Sequence, residues 1–354
     1  MIYPLKLLTY AMPFFALIAI LSEKRFTLPP HAPPYILLMI AGIAFAPLTT
    51  LLGWQDFYLM LMGLAPFCFG YKYKLKWETI NYATLIAAVL GILLAKSGHG
   101  GSFEFDAAKS KSSFEHPTSF VFGLLAVWAA LERKWKNVAF AMVLCILTLK
   151  RIVVLAAFVA ILMSLCPRAL AKNILRPIPM LAFNALALIF VFLYTQGHFD
   201  FLIAQSTKQS ADQFGMGRQA LYRIPVNTIL HHPAEFIFHG VGAGGVYDLI
   251  KLGHGFSGKP NLHNDPLKIF VEYGGLVLVM FISALFWRKE WHIKIIMLFV
   301  SILFLTDNSL IYPYMIFAYG LVFCNIRVRE TNLKPRRPLG GHGIRPQSLP
   351  ITIV

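Results

Sequence analysis

Long apolar runs recur along almost the whole of this 354-residue chain, and they limit its possible folds more than any other feature. Apolar residues make up 57% of the sequence and charged residues only 14%. Because soluble proteins carry about 25% charged residues, this chain lacks the polar groups needed to cover soluble domains. An apolar run of about 20 residues is long enough to cross a bilayer as a helix. The sequence therefore predicts an all-α, polytopic membrane protein.

We predict about 10–12 transmembrane helices and one large folded loop outside the membrane. The candidate spans are residues 7–22, 35–53, 57–70, 79–95, 117–131, 137–149, 151–166, 178–195, 267–287, 293–306 and 311–326. They divide the chain into N-terminal transmembrane helices (1–195), a large outer loop (196–266), C-terminal transmembrane helices (267–326) and a basic tail (327–354). The tail is rich in Pro, Gly and Arg, so we predict that it is disordered in the cytoplasm.

The net charge of +16 first suggests a nucleic-acid partner. However, the basic residues do not form one stripe interleaved with exposed aromatics, as such a partner would require. They occur in short clusters between the apolar runs, which is the pattern produced by cytoplasmic Lys and Arg orienting membrane helices. The lipid bilayer, and not nucleic acid, is therefore the predicted partner of these charges.

Lys150 and Arg151 break this orientation pattern. With the other basic clusters inside, this pair falls at the outer surface between two tightly joined helices. Charges placed against the orientation rule are candidate functional residues. The alternative is a hairpin tip whose long side chains extend to the membrane surface.

The outer loop, about seventy residues long, has balanced charge and contains six of the eleven histidines. Its aromatic and aliphatic content predicts that it folds, and loops of this length are usually functional or disordered. The histidines have no recognised metal-ligand spacing, and the four cysteines are isolated in apolar runs. We therefore predict neither a metal nor a cofactor.

His263 and Asn264 lie just before a predicted helix, with Asp265 expected as the N-cap and Pro266 as the first helical residue. A helix N-terminus offers free amides and a partial positive charge, which suit a phosphate. A neutral imidazole at this position can act as a general base. The alternative is a capping or interfacial histidine with no chemical role.

Arg218 and Arg223 are predicted to lie on a short amphipathic helix of the loop. Guanidinium groups suit bidentate binding of phosphate, and a solvated helix face is the alternative. Glu272 lies four residues after Lys268, so a local helix ion pair accounts for it. Asp307 follows a span and is interpreted as a helix cap.

The run from Gly240 to Gly245 suits tight turns that let the backbone approach a ligand closely. Simple loop turns explain the same glycines equally well. The run does not fit a dinucleotide-binding fingerprint, because that motif needs a preceding strand and a parallel sheet.

Four elements in a fixed order resemble the family of O-antigen ligases and O-antigen polymerases, bacterial inner-membrane glycosyltransferases that use undecaprenyl-diphosphate-linked glycans. These elements are Leu149-Lys-Arg151-Ile-Val-Val-Leu, Arg218-Gln-Ala-Leu-Tyr222, Gly240-Val-Gly242, and His263-Asn264 leading to Glu272-Tyr-Gly274. The resemblance covers roughly residues 137–287. It implies that loop 196–266 lies in the periplasm and carries the active site.

The resemblance also implies roles for individual residues. His263, Arg218 and Arg151 would be catalytic, with His263 as the base and the arginines on the donor diphosphate in place of a metal. The predicted substrate-binding residues are Arg223, Asn264, Gly240, Gly242, Lys150 and Glu272. The acceptor would be a second lipid-linked glycan, as in a polymerase, or the lipid A core, as in a ligase. A flippase or secondary transporter of lipid-linked glycans or other solutes is the alternative function.

Overall fold

The computed structural model describes residues 3–23, 26–68, 75–98, 105–106, 111–112, 119–254 and 261–333. The α-helices are α1 (Tyr3–Glu23), α2 (Pro33–Ala44), α3 (Leu51–Leu64), α4 (Trp77–Gly98), α5 (Ser119–Leu131), α6 (Trp135–Leu147), α7 (Arg151–Leu165), α8 (Arg168–Ile174), α9 (Pro177–Thr195), α10 (Asp200–Thr207), α11 (Ala211–Phe214), α12 (Arg218–His231), α13 (Pro233–Phe238), α14 (Gly245–His254), α15 (Asp265–Phe286), α16 (Trp291–Phe304) and α17 (Pro313–Leu333). Single 3₁₀ turns cover Ala46–Leu48, Ala65–Phe67 and Ser309–Ile311. Two two-residue strands, β1 (Phe105–Asp106) and β2 (Lys111–Ser112), pair antiparallel. The described part of the chain is otherwise helical, as predicted.

Two of these helices, α9 and α15, are long and apolar enough on their own to cross a membrane. The shorter apolar helices of the described residues have 10–17 residues each and include the two short helices predicted on either side of Lys150. These helices fit a membrane protein. The number of spans and the side that each loop faces stay predictions.

The boundary between the second and third apolar segments differs from the predicted one. The helix expected over 35–53 ends at Ala44, and the next begins at Leu51 instead of residue 57. The break follows from Pro47 in a 3₁₀ turn and from the Thr50 side chain, which caps α3 by accepting a hydrogen bond from the Gly53 amide. The shift places Asp56 inside α3, where its side chain is buried.

Helices α5, α6, α7 and α16 pack together as a bundle with charged groups at both ends. At one end, Lys150 lies beside Asp307. At the other, Lys294 donates to the Leu175 carbonyl (2.9 Å) and Arg168 lies over the Trp291 ring. The basic residues Arg168 and Lys294 thus lie at the end of the bundle opposite Lys150. This separation is the one expected if the helices cross the membrane in alternate directions.

The loop predicted over 196–266 forms the short helices α10 to α14 in its described residues, and these build a small apolar core of their own. Tyr222, Val226, Phe236 and Tyr247 are buried in it together with Leu267 of α15. The loop is therefore a folded unit attached to the first turns of α15. The tail boundary also differs, because α17 continues to Leu333, past residue 326. Residues 334–354, most of the predicted tail, lie outside the described residues.

Helix α15 is broken at Gly274, whose φ of 85° and ψ of 169° are not helical. The break frees the carbonyls of the preceding turn. The Val241 amide donates to the Val271 carbonyl and the Gly242 amide to the Glu272 carbonyl, each at 2.9 Å. The glycine-rich turn therefore satisfies the backbone groups that the break exposes.

Gly242 is expected to tolerate no side chain. Its φ is 86°, and a Cβ atom would come 2.2 Å from the Leu48 carbonyl oxygen. Gly217 is a matched control, because its φ is 79° but a Cβ there would meet nothing within 4 Å. We expect Gly242→Ala to cost about 3 kcal/mol or more of stability and Gly217→Ala about 1–2 kcal/mol. Thermal unfolding of the detergent-solubilised protein measures both; equal losses would contradict this account of the turn.

Candidate functional site

Asp307 lies at the centre of the candidate site, in the connection between α16 and α17. Its Oδ2 atom is 3.0 Å from the Lys150 ammonium, and its Oδ1 atom is 3.7 Å from Nδ1 of His263. The Tyr312 hydroxyl donates to the same Oδ1 atom (2.7 Å). The Lys150 ammonium also lies 4.2 Å from the centre of the Phe120 ring. Lys150 and His263, both candidates from the sequence, thus meet at Asp307, which the sequence analysis interpreted only as a helix cap.

The electrostatic balance at Asp307 keeps this carboxylate ionised. Burial alone would raise the pKa of Asp307, but the His263 ring, the Lys150 charge and the Tyr312 hydroxyl together hold the pKa below its usual range. The Asp307 carboxylate is therefore a fixed negative charge 3.7 Å from Nδ1 of His263.

The His263 backbone is held in a strained conformation by its surroundings. Its φ of 55° lies in the left-handed region, which is uncommon for residues other than glycine. The His263 amide donates to Oδ1 of Asn308 (3.0 Å), and the Tyr222 hydroxyl donates to the His263 carbonyl (3.2 Å). The side chain itself is 40% exposed. The backbone is fixed while the ring stays open to a reactant.

The start of α15 differs from the prediction by one residue. Asn264, and not Asp265, is the N-cap: its backbone is extended and its Oδ1 atom accepts from the Leu267 amide (2.8 Å). The Asp265 carboxylate instead accepts from the Leu310 amide (2.8 Å) in the neighbouring connection. Asp265 therefore ties α15 to the segment that carries Asp307, a tertiary contact that local capping preferences do not reveal.

Arg218 is the first residue of α12, which lies where the short helix of the loop was predicted. It lies one turn before Tyr222. Burial raises the pKa of Tyr222 to about 12, and the nearby Arg218 charge partly opposes this rise. Because Tyr222 also contacts the His263 carbonyl, Arg218 is linked to the site through this tyrosine. Arg218 is half-buried, whereas Arg223 lies on the exposed side of the same helix.

Arg151 begins α7 directly after Lys150 and is exposed. It lies at a cavity of about 540 Å³ between α6 and α7. The other residues lining this cavity are all apolar: Met142, Ile146, Leu149, Val154, Leu155 and Phe158. A guanidinium beside an apolar groove suits a molecule with a hydrocarbon chain and an anionic head.

The other predicted substrate-binding residues lie deeper in the protein. Asn264 and Glu272 are 2% and 1% exposed, and Asn264 also donates to the Leu305 carbonyl (2.9 Å). Gly240 and Gly242 press against backbone atoms of α15 and of the Ala46–Leu48 turn. This placement favours a supporting role, and their contact with a substrate stays a prediction.

Lys268 belongs to a buried polar cluster larger than the predicted pair with Glu272. Its ammonium donates to the Asp56 carboxylate and to the Tyr247 hydroxyl (2.6 Å), and it lies 4.0 Å from Glu272. The Tyr247 hydroxyl in turn donates to Asp56 (2.8 Å). These groups join α3, α14 and α15 one turn beyond Asn264. The sequence signal for the cluster was a lone carboxylate, Asp56, in an apolar stretch.

Asp307 is the main functional candidate that sequence reasoning undervalued. An acidic residue directly after an apolar span, at the same membrane surface as Lys150 and His263, was the available signal. No group of three or more His, Cys, Asp or Glu residues with the geometry of a metal site occurs among the described residues.

The helices fit a membrane protein, and the candidate residues Lys150, His263 and Asp307 converge where several apolar helices end. Residues 136–282 match the family model described as O-antigen ligase, which confirms the resemblance predicted from the sequence. This part of the chain is therefore similar to the O-antigen ligase family. The match covers less than half of the chain.

The matched region contains all of the predicted site residues, including Lys150, Arg151, Arg218 and His263, whereas Asp56 and Asp307 lie outside it. The comparison with curated proteins and the comparison with solved structures gave no match. Contacts within this chain are therefore the basis for including Asp307 in the site.

Proposed function

We propose that this protein is a metal-independent glycosyltransferase that transfers or polymerises undecaprenyl-diphosphate-linked oligosaccharides on the periplasmic face of the bacterial inner membrane. The observation that carries the proposal is the contact of His263 and Lys150 with one ionised carboxylate, Asp307. Two of these three residues lie inside the region that matches the O-antigen ligase family.

His263 acts as the general base in this proposal. Its exposed ring takes the proton from an acceptor hydroxyl while the hydroxyl oxygen bonds to the anomeric carbon of the donor sugar. The bond from that carbon to the diphosphate oxygen breaks, and undecaprenyl diphosphate leaves with the electron pair. Asp307 stabilises the imidazolium that forms, and the proton then passes from His263 to water.

The arginines bind the donor. Arg151 and Arg218 neutralise the diphosphate and stabilise the negative charge that grows on it as it leaves. The cavity beside Arg151 has the apolar lining that a polyprenyl chain requires. Arg151 directly follows Lys150, which contacts Asp307, so the proposal places the diphosphate at the same end of α7 as the base.

The proposed location follows from the pattern of charges. Basic clusters gather at the end of the bundle opposite Lys150, and positive residues favour the cytoplasm. The site then faces the periplasm, where its donor is the undecaprenyl-linked glycan and its acceptor is a second such glycan or the lipid A core.

A transporter of lipid-linked glycans is the second candidate, and one observation favours it. Helix α15 is broken at Gly274, next to the buried Lys268 and Glu272. Broken helices with ionisable residues are typical of substrate sites in secondary transporters. The glycine-rich turn already satisfies the carbonyls freed by this break, which favours the enzyme.

The proposed function is tested with purified protein in lipid vesicles, given a glycan on undecaprenyl diphosphate. Donor alone should give longer lipid-linked glycans if the protein is a polymerase. Donor with lipid A core should give glycosylated lipid A if it is a ligase. Movement of intact donor across the membrane without either product would contradict the enzyme and support the transporter.

Arg218→Ala is expected to lower kcat/KM for the donor about 100-fold, because one strong donor of hydrogen bonds to the leaving diphosphate is lost. Arg218→Lys keeps the charge but loses the bidentate geometry, so we expect it to recover only part of this loss. Initial rates at varied donor concentration measure both variants. Alanine and lysine variants as active as the native protein would remove Arg218 from the site.

A further inference from the structure

Three large apolar side chains are exposed on α10 and α11, and a fourth, Met216, is exposed in the turn before α12. Phe201 and Leu202 of α10 are 80% and 59% exposed, Phe214 at the end of α11 is 55% exposed, and Met216 is 72% exposed. Single exposed apolar residues are ordinary, but a group of large ones marks a surface that binds something apolar. We call these four residues the apolar patch.

The patch is attached to the end of a helix long enough to cross the membrane. The Tyr194 hydroxyl of α9 donates to the Ala211 carbonyl at the start of α11 (2.7 Å). Nε2 of Gln219 donates to the Tyr194 carbonyl (2.9 Å) and to the Asp200 carboxylate of α10 (2.7 Å). Phe199, just before α10, stacks on Phe190 of α9 with ring centres 5.0 Å apart. These contacts hold α10 and α11 against the last turns of α9.

We propose that the apolar patch inserts into the lipid surface at the end of α9, at the boundary between headgroups and acyl chains. The reason is continuity: Phe201 lies six residues after Thr195, the last residue of the apolar α9 helix. Segments at the membrane interface bury their apolar side chains at the boundary between headgroups and acyl chains, and the end of α9 places Phe201 and Leu202 at this depth. The partner of this surface is therefore the bilayer.

The insertion has a consequence for the arginine that follows it. Arg218 comes two residues after Met216, through Gly217 in the left-handed conformation. Insertion of Met216 therefore holds the guanidinium at headgroup depth, where the phosphates of any lipid lie. This consequence for the lipid-linked donor rests on the proposed function, whereas the insertion of the patch does not.

The test uses spin labels on the full chain, with its four cysteines replaced by alanine, in vesicles of phosphatidylethanolamine and phosphatidylglycerol. Labels are attached at single cysteines introduced as Phe201→Cys and Phe214→Cys. Thr207→Cys is the matched control, since Thr207 is exposed and lies about 120° around α10 from Phe201. Collision rates are measured with oxygen, which concentrates in lipid, and with a water-soluble nickel chelate.

We expect the ratio of oxygen to nickel collisions to be at least threefold higher at positions 201 and 214 than at 207. Equal, water-like ratios at all three positions would overturn the proposal. The native chain gives a second measurement, since a membrane-soluble carbene reagent should modify Phe201 and Phe214, and an unmodified 200–216 segment would also overturn it. Neither readout depends on glycan transfer, so an inactive enzyme would refute the proposed function without affecting this result.

Discussion

Asp307→Asn is expected to lower the rate of glycan transfer by about three orders of magnitude while leaving donor binding nearly unchanged. The amide keeps the size of the side chain but removes the charge that stabilises protonated His263, and it leaves Lys150 without its 3.0 Å carboxylate partner. Loss of a carboxylate that supports a catalytic histidine has effects of this size. Single-turnover rates at saturating donor separate this chemical step from binding.

Tyr312→Phe is the matched control for this prediction. It removes one hydrogen bond to the same carboxylate oxygen but keeps the charge, so we expect a loss of tenfold or less. His263→Ala should abolish base catalysis, and adding Asp307→Asn to it should lower the rate little further, because residues that act as a unit are not additive. An Asp307→Asn rate within threefold of the native rate would rule out this role for Asp307.

Lys268→Met is expected to lower the free energy of unfolding by about 3–5 kcal/mol. The ammonium is buried among two carboxylates and a tyrosine hydroxyl, so its removal takes away the cation that binds Asp56 and lies 4.0 Å from Glu272. Lys294→Met is the matched control: Lys294 is also buried, but its ammonium donates to the Leu175 carbonyl and forms no ion pair with a carboxylate among the described residues. Thermal or denaturant unfolding in detergent measures the difference.

A double variant tests whether the loss comes from the ion pair itself. Asp56→Asn combined with Lys268→Met removes both charges, and we expect it to be more stable than the sum of the single losses predicts, by about 1–3 kcal/mol. Strict additivity would show that Asp56 and Lys268 do not act as a pair. Equal losses in Lys268→Met and Lys294→Met would show that burial alone, and not the carboxylates, sets the cost.

Local patterns were enough to predict the helical class and the helix ends at which the candidate residues lie. Arg151 begins α7, Arg218 begins α12, and His263 precedes α15, each close to its predicted place. These features depend on neighbours in sequence, such as apolar runs, caps and turns. The positions of these candidate residues at helix ends were therefore predictable before any tertiary contact was known.

Contacts between distant segments could not be predicted in the same way. The residues next to Asp307 in sequence indicate only a helix cap. The packing of α16 beside α7 and α15 brings Asp307 to Lys150 and His263. Asp56 is likewise far from Lys268 in sequence. The Gly274 break was hidden because glycine is common in apolar helices, and its partner, the glycine-rich turn, lies in another part of the chain.

The central claim, that this protein transfers glycan from undecaprenyl diphosphate with His263 as the base, is tested most directly by measuring release of that lipid carrier. Purified protein in vesicles receives donor and both acceptors, and free undecaprenyl diphosphate is counted against glycan transferred. We predict one carrier released for each glycan transferred by the native protein, and none above background with His263→Ala. Movement of intact donor without release, or equal release by the native protein and the variant, would contradict the account.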